Sequence, residues 1–365
     1  MRAVQGKDYG PIDEMVHLVE DAPVPCLNDI PIKDRKNWAV IRTLAVALAP
    51  ADVRVLSGKT RALQGPPSFP YTVGGDVCGQ VVEVETDCDF KVGDVINARF
   101  YRKPMGALGQ YALVNTKCCD LVPAGVSPEG AAALGSSGIA ANVISKLIRQ
   151  GERILVIGAG GGVGSHFCQL ARHQGASYIA GLARDASRLV EKPICCDVGI
   201  DYTKEDPWTK SEFLEQPFDV VVDFAGTGWL RMLQDSKAGK KLVVKTANQG
   251  GRYLTSATDE PWFAIRGIWD ALKIFMFTTL WRATYSRLTT RNLLPTYSFV
   301  MALPEERQAM RETLSLVRNK VLTPCIDPAG PFPFTTEGVR SALKLQESRH
   351  VRGKAVIHVA EFSSQ

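Results

Sequence analysis

The segment 153–171, RILVIGAGGGVGSHFCQLA, constrains the fold of this chain more than any other segment. An apolar run of strand type is followed by five glycines within seven residues, and then by a helical pattern. Glycine at this density is typical of a strand-to-helix turn whose backbone approaches a ligand closely. Because a helix N-terminus presents unpaired N–H groups and the positive end of its dipole, the turn predicts a phosphate-binding site.

Three of the glycines, Gly158, Gly161 and Gly164, have the spacing of a dinucleotide-binding turn. There glycine permits the bend, lets backbone amides reach a pyrophosphate, and lets the helix pack on the strand. We therefore predict that the loop contacts a dinucleotide through Gly158, Gly160, Gly161, Gly162, Val163 and Gly164. A tight turn with a purely structural role is the alternative.

The end of the following strand predicts which dinucleotide binds. NAD sites usually carry an acidic residue there for the ribose 2′-hydroxyl, whereas NADP sites offer space and a cation. The segment YIAGLARDASR places Ala183 and Arg184 at this point, and Arg188 follows in the next turn. These residues favour NADPH over NADH, because an arginine can pair with the 2′-phosphate. Asp185 is either a helix N-cap or an acceptor for the hydroxyl.

The pattern of the chain changes near Ser127, which predicts two domains. Before this residue, short strands are separated by Gly, Pro and Asp, as in a compact and mostly antiparallel β domain. After it, apolar strands alternate with helices, which predicts a parallel sheet with right-handed crossovers. We assign residues 1–127 and 301–365 to the β-rich domain and residues 128–300 to the dinucleotide-binding domain.

Composition and charge are ordinary for a globular protein, and the mild positive charge would suit an anionic small ligand. The net charge is +5, and no run of Lys or Arg is long enough to suggest a nucleic-acid arm. The nine cysteines include no Cys-x-x-Cys pair, which favours reduced thiols in an intracellular protein. The N-terminus has no apolar signal core, so we expect a cytoplasmic location.

The longest apolar patch is IFMFTTLW at residues 274–281, which Arg266, Asp270 and Lys273 precede. These eight residues cannot span a bilayer, which needs about 20. We expect a helix that packs against the other domain or a subunit partner. A membrane-surface helix near a lipophilic substrate is the alternative.

The order of a β domain, a glycine-loop α/β domain and a return to the first domain resembles the medium-chain dehydrogenase/reductase superfamily. The chain is most similar to its zinc-free quinone oxidoreductase branch, the zeta-crystallin-like proteins. The segments FPYTVGGDVCGQVVEV, GAGGGVG, YSFVMA and RGKAVIHVA carry the resemblance, which covers nearly the whole chain. It implies an α/β protein with a GroES-like β-rich catalytic domain, a doubly wound Rossmann domain that binds NADPH, and a homodimer.

The segments RGKAVIHVA and LWRATYSRL are closest to the reticulon-interacting mitochondrial oxidoreductases, so a mitochondrial location is the alternative to a cytoplasmic one. The zinc-dependent members of the superfamily need a Cys, a His-Glu pair and a further Cys at fixed points. This chain has Ala49, Gly75-Asp76 and the GSSG of 135–138 there. The resemblance therefore implies a metal-free protein.

The resemblance also assigns cofactor contacts beyond the glycine loop. Tyr202 lies where relatives place a tyrosine near the adenosine phosphate, and a structural loop tyrosine is the alternative. The residues assigned to the nicotinamide side are Ala225, Gly226, Ser256, Ala257, Phe299 and Val300. Ser256 and Ala257 depend on taking GRYLTSA, and not KLVVKTA, as the next strand. Phe299 and Val300 are otherwise core residues.

From these features we expect an NADPH-dependent reductase that transfers a hydride to a quinone or an α,β-unsaturated carbonyl. The branch usually has Asn at Ala49, Tyr at Arg54 and Thr at Ala140, so polar contacts around the ring are fewer here. An NADPH-binding sensor or partner-binding protein with little turnover is therefore the alternative. Asp52 and Arg54 remain as candidate catalytic groups, unless they form a surface ion pair or a turn contact.

Overall fold

A computed structural model of the chain describes residues 1–66, 68–99, 106–260, 262–288, 290–301 and 306–361. The chain divides into two compact units, Met1–Ile139 with Leu303–Gln365, and Ala140–Ala302. The predicted domain limits near 127 and 301 remain a prediction, because the helix Pro128–Ser145 continues through the point where the units divide.

The described residues form strands and helices in the following order. The strands are β1 Ala3–Gly6, β2 Val16–Val19, β3 Trp38–Ala47, β4 Tyr71–Thr72, β5 Asp76–Val84, β6 Val95–Arg99, β7 Tyr111–Asn115, β8 Cys119–Leu121, β9 Arg153–Ile157, β10 Tyr178–Ala183, β11 Val198–Asp201, β12 Val220–Asp223, β13 Arg252–Thr255, β14 Thr296–Phe299, β15 Phe332–Pro333 and β16 Val356–His358. The α-helices are α1 Ile12–Met15, α2 Pro50–Leu56, α3 Arg61–Gln64, α4 Pro128–Ser145, α5 Gly162–His173, α6 Ser187–Val190, α7 Ser211–Glu215, α8 Gly228–Lys237, α9 Ile268–Ala271, α10 Thr278–Leu288, α11 Arg307–Arg318 and α12 Thr336–Glu347. A π-helical segment, Leu272–Phe277, joins α9 to α10.

The first unit is built on a seven-stranded sheet in which β15, β16, β3, β5, β6 and β8 follow one another and β7 also pairs with β3. Strand β3 pairs antiparallel with β5, β7 and β16, so the C-terminal strand closes the sheet made by the first part of the chain. Small buried side chains, among them Ala45, Ala131 and Ala132, form one of its core clusters. Their size lets α4 lie close to the sheet.

The second unit is a six-stranded parallel sheet in the order β11-β10-β9-β12-β13-β14. From β9 the chain adds β10 and β11 on one side and β12, β13 and β14 on the other, which is a doubly wound arrangement. The segment GRYLTSA supplies β13, as predicted, whereas β11 was not predicted as a strand. The α/β class and the Rossmann-like sheet are therefore confirmed.

The apolar patch at 274–281 is helical, as predicted, and lies in the continuous helical segment 268–288. Within this unit, Phe275 packs edge-on against Phe263 and Phe299, with ring centroids 5.6 and 6.3 Å apart. Among the residues that the structure describes, no helix combines the length and the apolar character that crossing a bilayer requires.

Candidate active site

The carboxyl ends of the parallel strands in the second unit lie along one edge of its sheet. Ile157 at the end of β9 pairs with Leu182 on one side and Asp223 on the other, and Asp223 pairs with Thr255. The predicted cofactor residues follow these strand ends in spatial order: Tyr202, Ala183, Arg184, the loop 158–164, Ala225, Gly226, Ser256, Ala257, Phe299 and Val300. In doubly wound sheets this edge is where ligands bind.

The glycine loop is closed so tightly that it has no space for a side chain at Gly164 and little space at Gly160. Gly158 has φ +80°, a left-handed conformation that favours glycine. A Cβ on Gly164 would lie 2.2 Å from the Gly158 carbonyl oxygen, and one on Gly160 would lie 3.1 Å from Ala183 Cβ. The glycines therefore let α5 approach β9 and let the loop contact the end of β10.

Helix α5 begins directly after this loop, and its N-cap is Gly161. Because glycine has no side chain, the N-cap supplies no acceptor to the first-turn N–H groups of the helix. These donors and the dipole of a 12-residue helix suit a pyrophosphate, as the sequence predicts. The loop therefore fits a dinucleotide, and contact with one remains a prediction for each of its residues.

At the adenosine side of the edge, Arg184 is exposed at the end of β10 and Arg188 is half-buried in α6. The N-cap of α6 is Ala186, so the interpretation of Asp185 as the N-cap is wrong. The Asp185 carboxylate instead accepts a hydrogen bond from Ser187 Oγ at 3.1 Å. Tyr202 follows β11 and is 51% exposed, so its ring is available to a ligand.

At the nicotinamide side, the buried carboxylate of Asp223 holds the loop after β12. Its Oδ1 accepts hydrogen bonds from the N–H groups of Ala225 and Gly226, both at 2.7 Å. Its Oδ2 accepts from Gly228 N at 2.7 Å and from the Tyr253 hydroxyl at 2.5 Å. Sequence reasoning missed Asp223, although an acid directly after the apolar run VVV was a visible signal.

The loops after β13 and β14 are fixed by hydrogen bonds to Thr255. Its hydroxyl donates to the Asp223 carbonyl oxygen at 2.8 Å and accepts from Ala257 N at 3.0 Å. The Thr255 carbonyl oxygen accepts from Val300 N at 2.8 Å. Ser256 and Phe299 are half-buried beside these contacts. Asp223 and Thr255 are therefore the positioning residues of this side of the edge.

The first unit contains a separate polar cluster around Asp76, a residue at a zinc-ligand position of the zinc-dependent relatives. Asp76 Oδ1 accepts from Ser136 N at 2.9 Å and from Ser136 Oγ at 2.7 Å. Asp76 Oδ2 lies 3.1 Å from the ammonium of Lys354, and both side chains are buried. A Cβ on Gly135 would lie 2.6 Å from Asp76 Oδ1, so glycine is needed for this contact.

This donor set does not fit a catalytic zinc ion. Zinc sites use Cys, His and carboxylate ligands, whereas here the carboxylate binds an ammonium and a hydroxyl, and Ala49 supplies no ligand. Across the described ranges, no group of three or more His, Cys, Asp or Glu side chains could hold a metal ion.

Asp52 is 6% exposed, so the alternative of a surface ion pair is wrong for this residue. Its carboxylate accepts from Ala49 N at 2.7 Å and thereby caps α2, which is the predicted turn contact. Burial raises the pKa of Asp52 to about 6; the charge of Asp76 adds to this, whereas Lys354 and Arg54 oppose it. Burial lowers the pKa of Arg54, and the charge of Asp52 opposes that shift.

A family model described as alcohol dehydrogenase GroES-like domain matches residues 35–144, and one described as zinc-binding dehydrogenase matches residues 196–357. The first match confirms the predicted GroES-like fold of the β-rich part.

Two curated relatives match over nearly the whole chain. One is an NADPH-dependent alkenal/one oxidoreductase, chloroplastic, of Arabidopsis thaliana, at 28% identity over 98% of this chain and 79% of the relative. The other is a 2-methylene-furan-3-one reductase of Solanum lycopersicum, at 30% identity and the same coverage. The solved Escherichia coli quinone oxidoreductase complexed with NADPH has the same fold, with a TM-score of 0.70 and 20% identity over 98% of this chain and 100% of that chain.

Proposed function

Because the chain belongs to the medium-chain dehydrogenase/reductase superfamily, in its quinone-oxidoreductase-like branch, we propose that it is an NADPH-dependent reductase of quinones or α,β-unsaturated carbonyls. The structural observation that carries the proposal is the glycine loop at the carboxyl edge of β9, followed by an exposed Arg184 at the end of β10. The Arabidopsis relative is named as NADPH-dependent and acts on alkenals and alkenones.

The chain's own residues hold the cofactor in three groups. The loop amides of 160–163 bind the pyrophosphate, and Arg184 and Arg188 pair with the 2′-phosphate while Tyr202 contacts the adenosine side. The nicotinamide is held by Ala225, Gly226, Ser256, Ala257, Phe299 and Val300. When bound, NADPH supplies a hydride from C4 of its ring. Asp223 and Thr255 keep the loops that face the ring in place.

We assign the proton that completes the reduction to Asp52. Hydride addition to an enone leaves a carbanion or enolate that must be protonated, and a general acid works best when its pKa lies near the operating pH. The pKa of Asp52 is raised to about 6 by burial, so part of this carboxyl is protonated near neutral pH. The hydrogen bond from Ala49 N, and after it the charges of Lys354 and Arg54, stabilise the carboxylate that remains after the proton has left.

The proposed reaction needs no metal. Quinones and conjugated carbonyls accept a hydride with less electrophilic help than a simple ketone requires. Asp76, at a position that the resemblance assigns to the zinc ligands, pairs with the ammonium of Lys354 instead, which supports this proposal. We expect activity to survive exhaustive treatment with a chelator.

For location and assembly we propose a cytoplasmic homodimer. No disulfide joins any of the nine cysteines, all of which lie in the described ranges, and this supports a reducing compartment. Strand β14 is the last strand of the parallel sheet and offers its outer edge to a second copy.

The test is oxidation of NADPH, followed by its near-ultraviolet absorbance, with a panel of alkenals, alkenones and quinones. We expect turnover with members of the panel and a higher kcat/KM with NADPH than with NADH. Asp52→Asn keeps an acceptor for Ala49 N but loses the acidic proton, so we expect kcat to fall at least tenfold while NADPH affinity is retained. Calorimetric binding of NADPH without turnover of any acceptor would leave the sensor as the better interpretation.

A further inference from the structure

The helical segment 268–288 and the loop after it present a cluster of exposed apolar side chains on the second unit. Eight large apolar residues there are more than a third exposed: Ile268, Trp269, Met276, Phe277, Leu280, Trp281, Leu288 and Leu293. Trp269 is 74% and Trp281 68% exposed, although tryptophan is seldom left so open. Single exposed apolar residues need no explanation, whereas a cluster of this kind marks an interaction surface.

The exposed apolar side chains are not the ones that attach this segment to the second unit, because other side chains of the segment make those contacts. Phe275 lies against Phe263 and Phe299, and Ser286 Oγ accepts from Tyr297 N at 3.0 Å. Arg282 forms an ion pair with Asp259. These contacts hold the segment on the second unit, while the apolar side chains named above remain open.

The exposed face of this segment is also cationic. Residues 262–301 contain five basic residues and one acidic residue. Four of the basic residues, Arg266, Lys273, Arg287 and Arg291, are exposed, and none of them forms a salt bridge within the described ranges. The acid, Asp270, is half-buried and accepts from Arg266 N at 2.8 Å. The segment therefore offers aromatic side chains and uncompensated positive charge together.

We propose that 268–288 is a membrane-docking helix that lies in the plane of an anionic lipid surface. Tryptophan and phenylalanine partition to the headgroup region, and lysine and arginine attract anionic headgroups, so both features serve one partner. The face does not suit a second copy of this chain. A two-fold interface would bring the same four cations of each copy towards one another, and interface cores are depleted of charge.

The test is flotation of the full chain with vesicles of phosphatidylcholine and phosphatidylserine, compared with vesicles of phosphatidylcholine alone. We expect the chain to float with the anionic vesicles and to be released by salt. The triple variant Phe277→Gln, Leu280→Gln and Trp281→Gln should reduce the bound fraction at least tenfold. Lys273→Gln and Arg287→Gln should each reduce it about fivefold, because one basic residue near such a surface contributes about that factor.

The matched control changes three exposed apolar residues of the other unit, Val24→Gln, Ile32→Gln and Val92→Gln, and should bind vesicles like the parent chain. An unchanged thermal unfolding temperature shows that each variant is folded, and vesicle binding is measured without cofactor or substrate. The proposal is therefore tested whether or not the reductase function holds. Failure of the parent chain to bind anionic vesicles overturns it. The proposal is also overturned if the triple variant still binds anionic vesicles but sediments as a monomer where the parent chain sediments as a dimer.

Discussion

Arg184 is the side chain that we propose selects NADPH over NADH. It is exposed at the end of β10, where Ala183 leaves room beside it. We predict that Arg184→Ala weakens NADPH binding by about 1.5–3 kcal/mol, roughly ten- to a hundredfold in Kd, because a charge-assisted contact is lost. NADH binding should change little, and Arg184→Lys should retain part of the affinity. Calorimetric titration with both cofactors checks this, and equal losses for the two would contradict it.

Asp52 makes the stability of the protein depend on pH. Its pKa is raised from the ordinary 3.8 to about 6, so the folded state binds more protons than the unfolded state between these values. The contribution of its protonated form is complete below about pH 4 and is lost as the pH rises through about 6. The side chain of Asp52→Asn does not titrate. As the pH rises from about 4 to about 6, the free energy of unfolding of this variant should therefore increase by about 3 kcal/mol relative to that of the parent chain.

Urea unfolding of Asp52→Asn and of the parent chain at a series of pH values measures this difference. A difference that stays constant from acid to neutral pH would show that the Asp52 carboxyl is not perturbed in the folded state.

Single residues could be predicted from the sequence where backbone chemistry forces the choice. Apolar runs mark the ends of β9 and β10 in the sequence. The positions of the loop glycines and of Arg184 could be predicted because these residues directly follow those strand ends. Asp52 and a turn contact at it were predicted, but its burial was not, because burial depends on the packing around it. Asp223 was missed because its partners, the Tyr253 hydroxyl and the amide of Gly228, come from later parts of the chain.

At the scale of elements, the contact between β9, the glycine loop and α5 depends on the absence of a side chain at Gly164. We predict that Gly164→Ala lowers NADPH affinity and destabilises the protein by about 1–3 kcal/mol, because its Cβ would meet the Gly158 carbonyl oxygen at 2.2 Å. The control is Gly267→Ala, where a Cβ meets nothing within 4 Å and the backbone is extended. Calorimetry and thermal unfolding measure both variants; equal effects would refute the steric argument.

A second element-scale contact joins β5, the start of the kink in α4 and the segment before β16, through Asp76, Ser136 and Lys354. Lys354→Met leaves the Asp76 carboxylate buried without its cation, which should cost about 3–5 kcal/mol. Adding Asp76→Asn removes the uncompensated charge and keeps an acceptor for Ser136, so the double variant should recover part of that loss. Denaturant unfolding measures the cycle, and additive losses would show that the two side chains are not coupled.

The elements themselves were predicted unevenly. Strands β9, β10, β12 and β13 were readable because parallel strands buried on both faces are continuous apolar runs. Strand β11 was missed because VGID is short and contains glycine, so it has no clear apolar pattern. The π-helical segment Leu272–Phe277 has no sequence signature, since it depends on how the helix packs against β14.

At the scale of the molecule, the α/β class and the two architectures could be predicted from the alternation of elements, because each pattern buries an apolar face in only one way. The substrate could not be predicted from the sequence. Its pocket depends on loops whose side chains no local pattern positions, and named relatives differ in the carbonyl compounds they reduce.

Direct transfer of a hydride from the cofactor to a conjugated acceptor is the central step of the proposed reaction. The measurement that tests it is mass spectrometry of the product formed from an alkenone and NADPH in which both hydrogens at C4 are replaced by deuterium. We predict one deuterium at the β-carbon of the saturated product, with the α-proton taken from solvent through Asp52. Consumption of the cofactor without deuterium in the product, or no product from any conjugated carbonyl, would contradict the account.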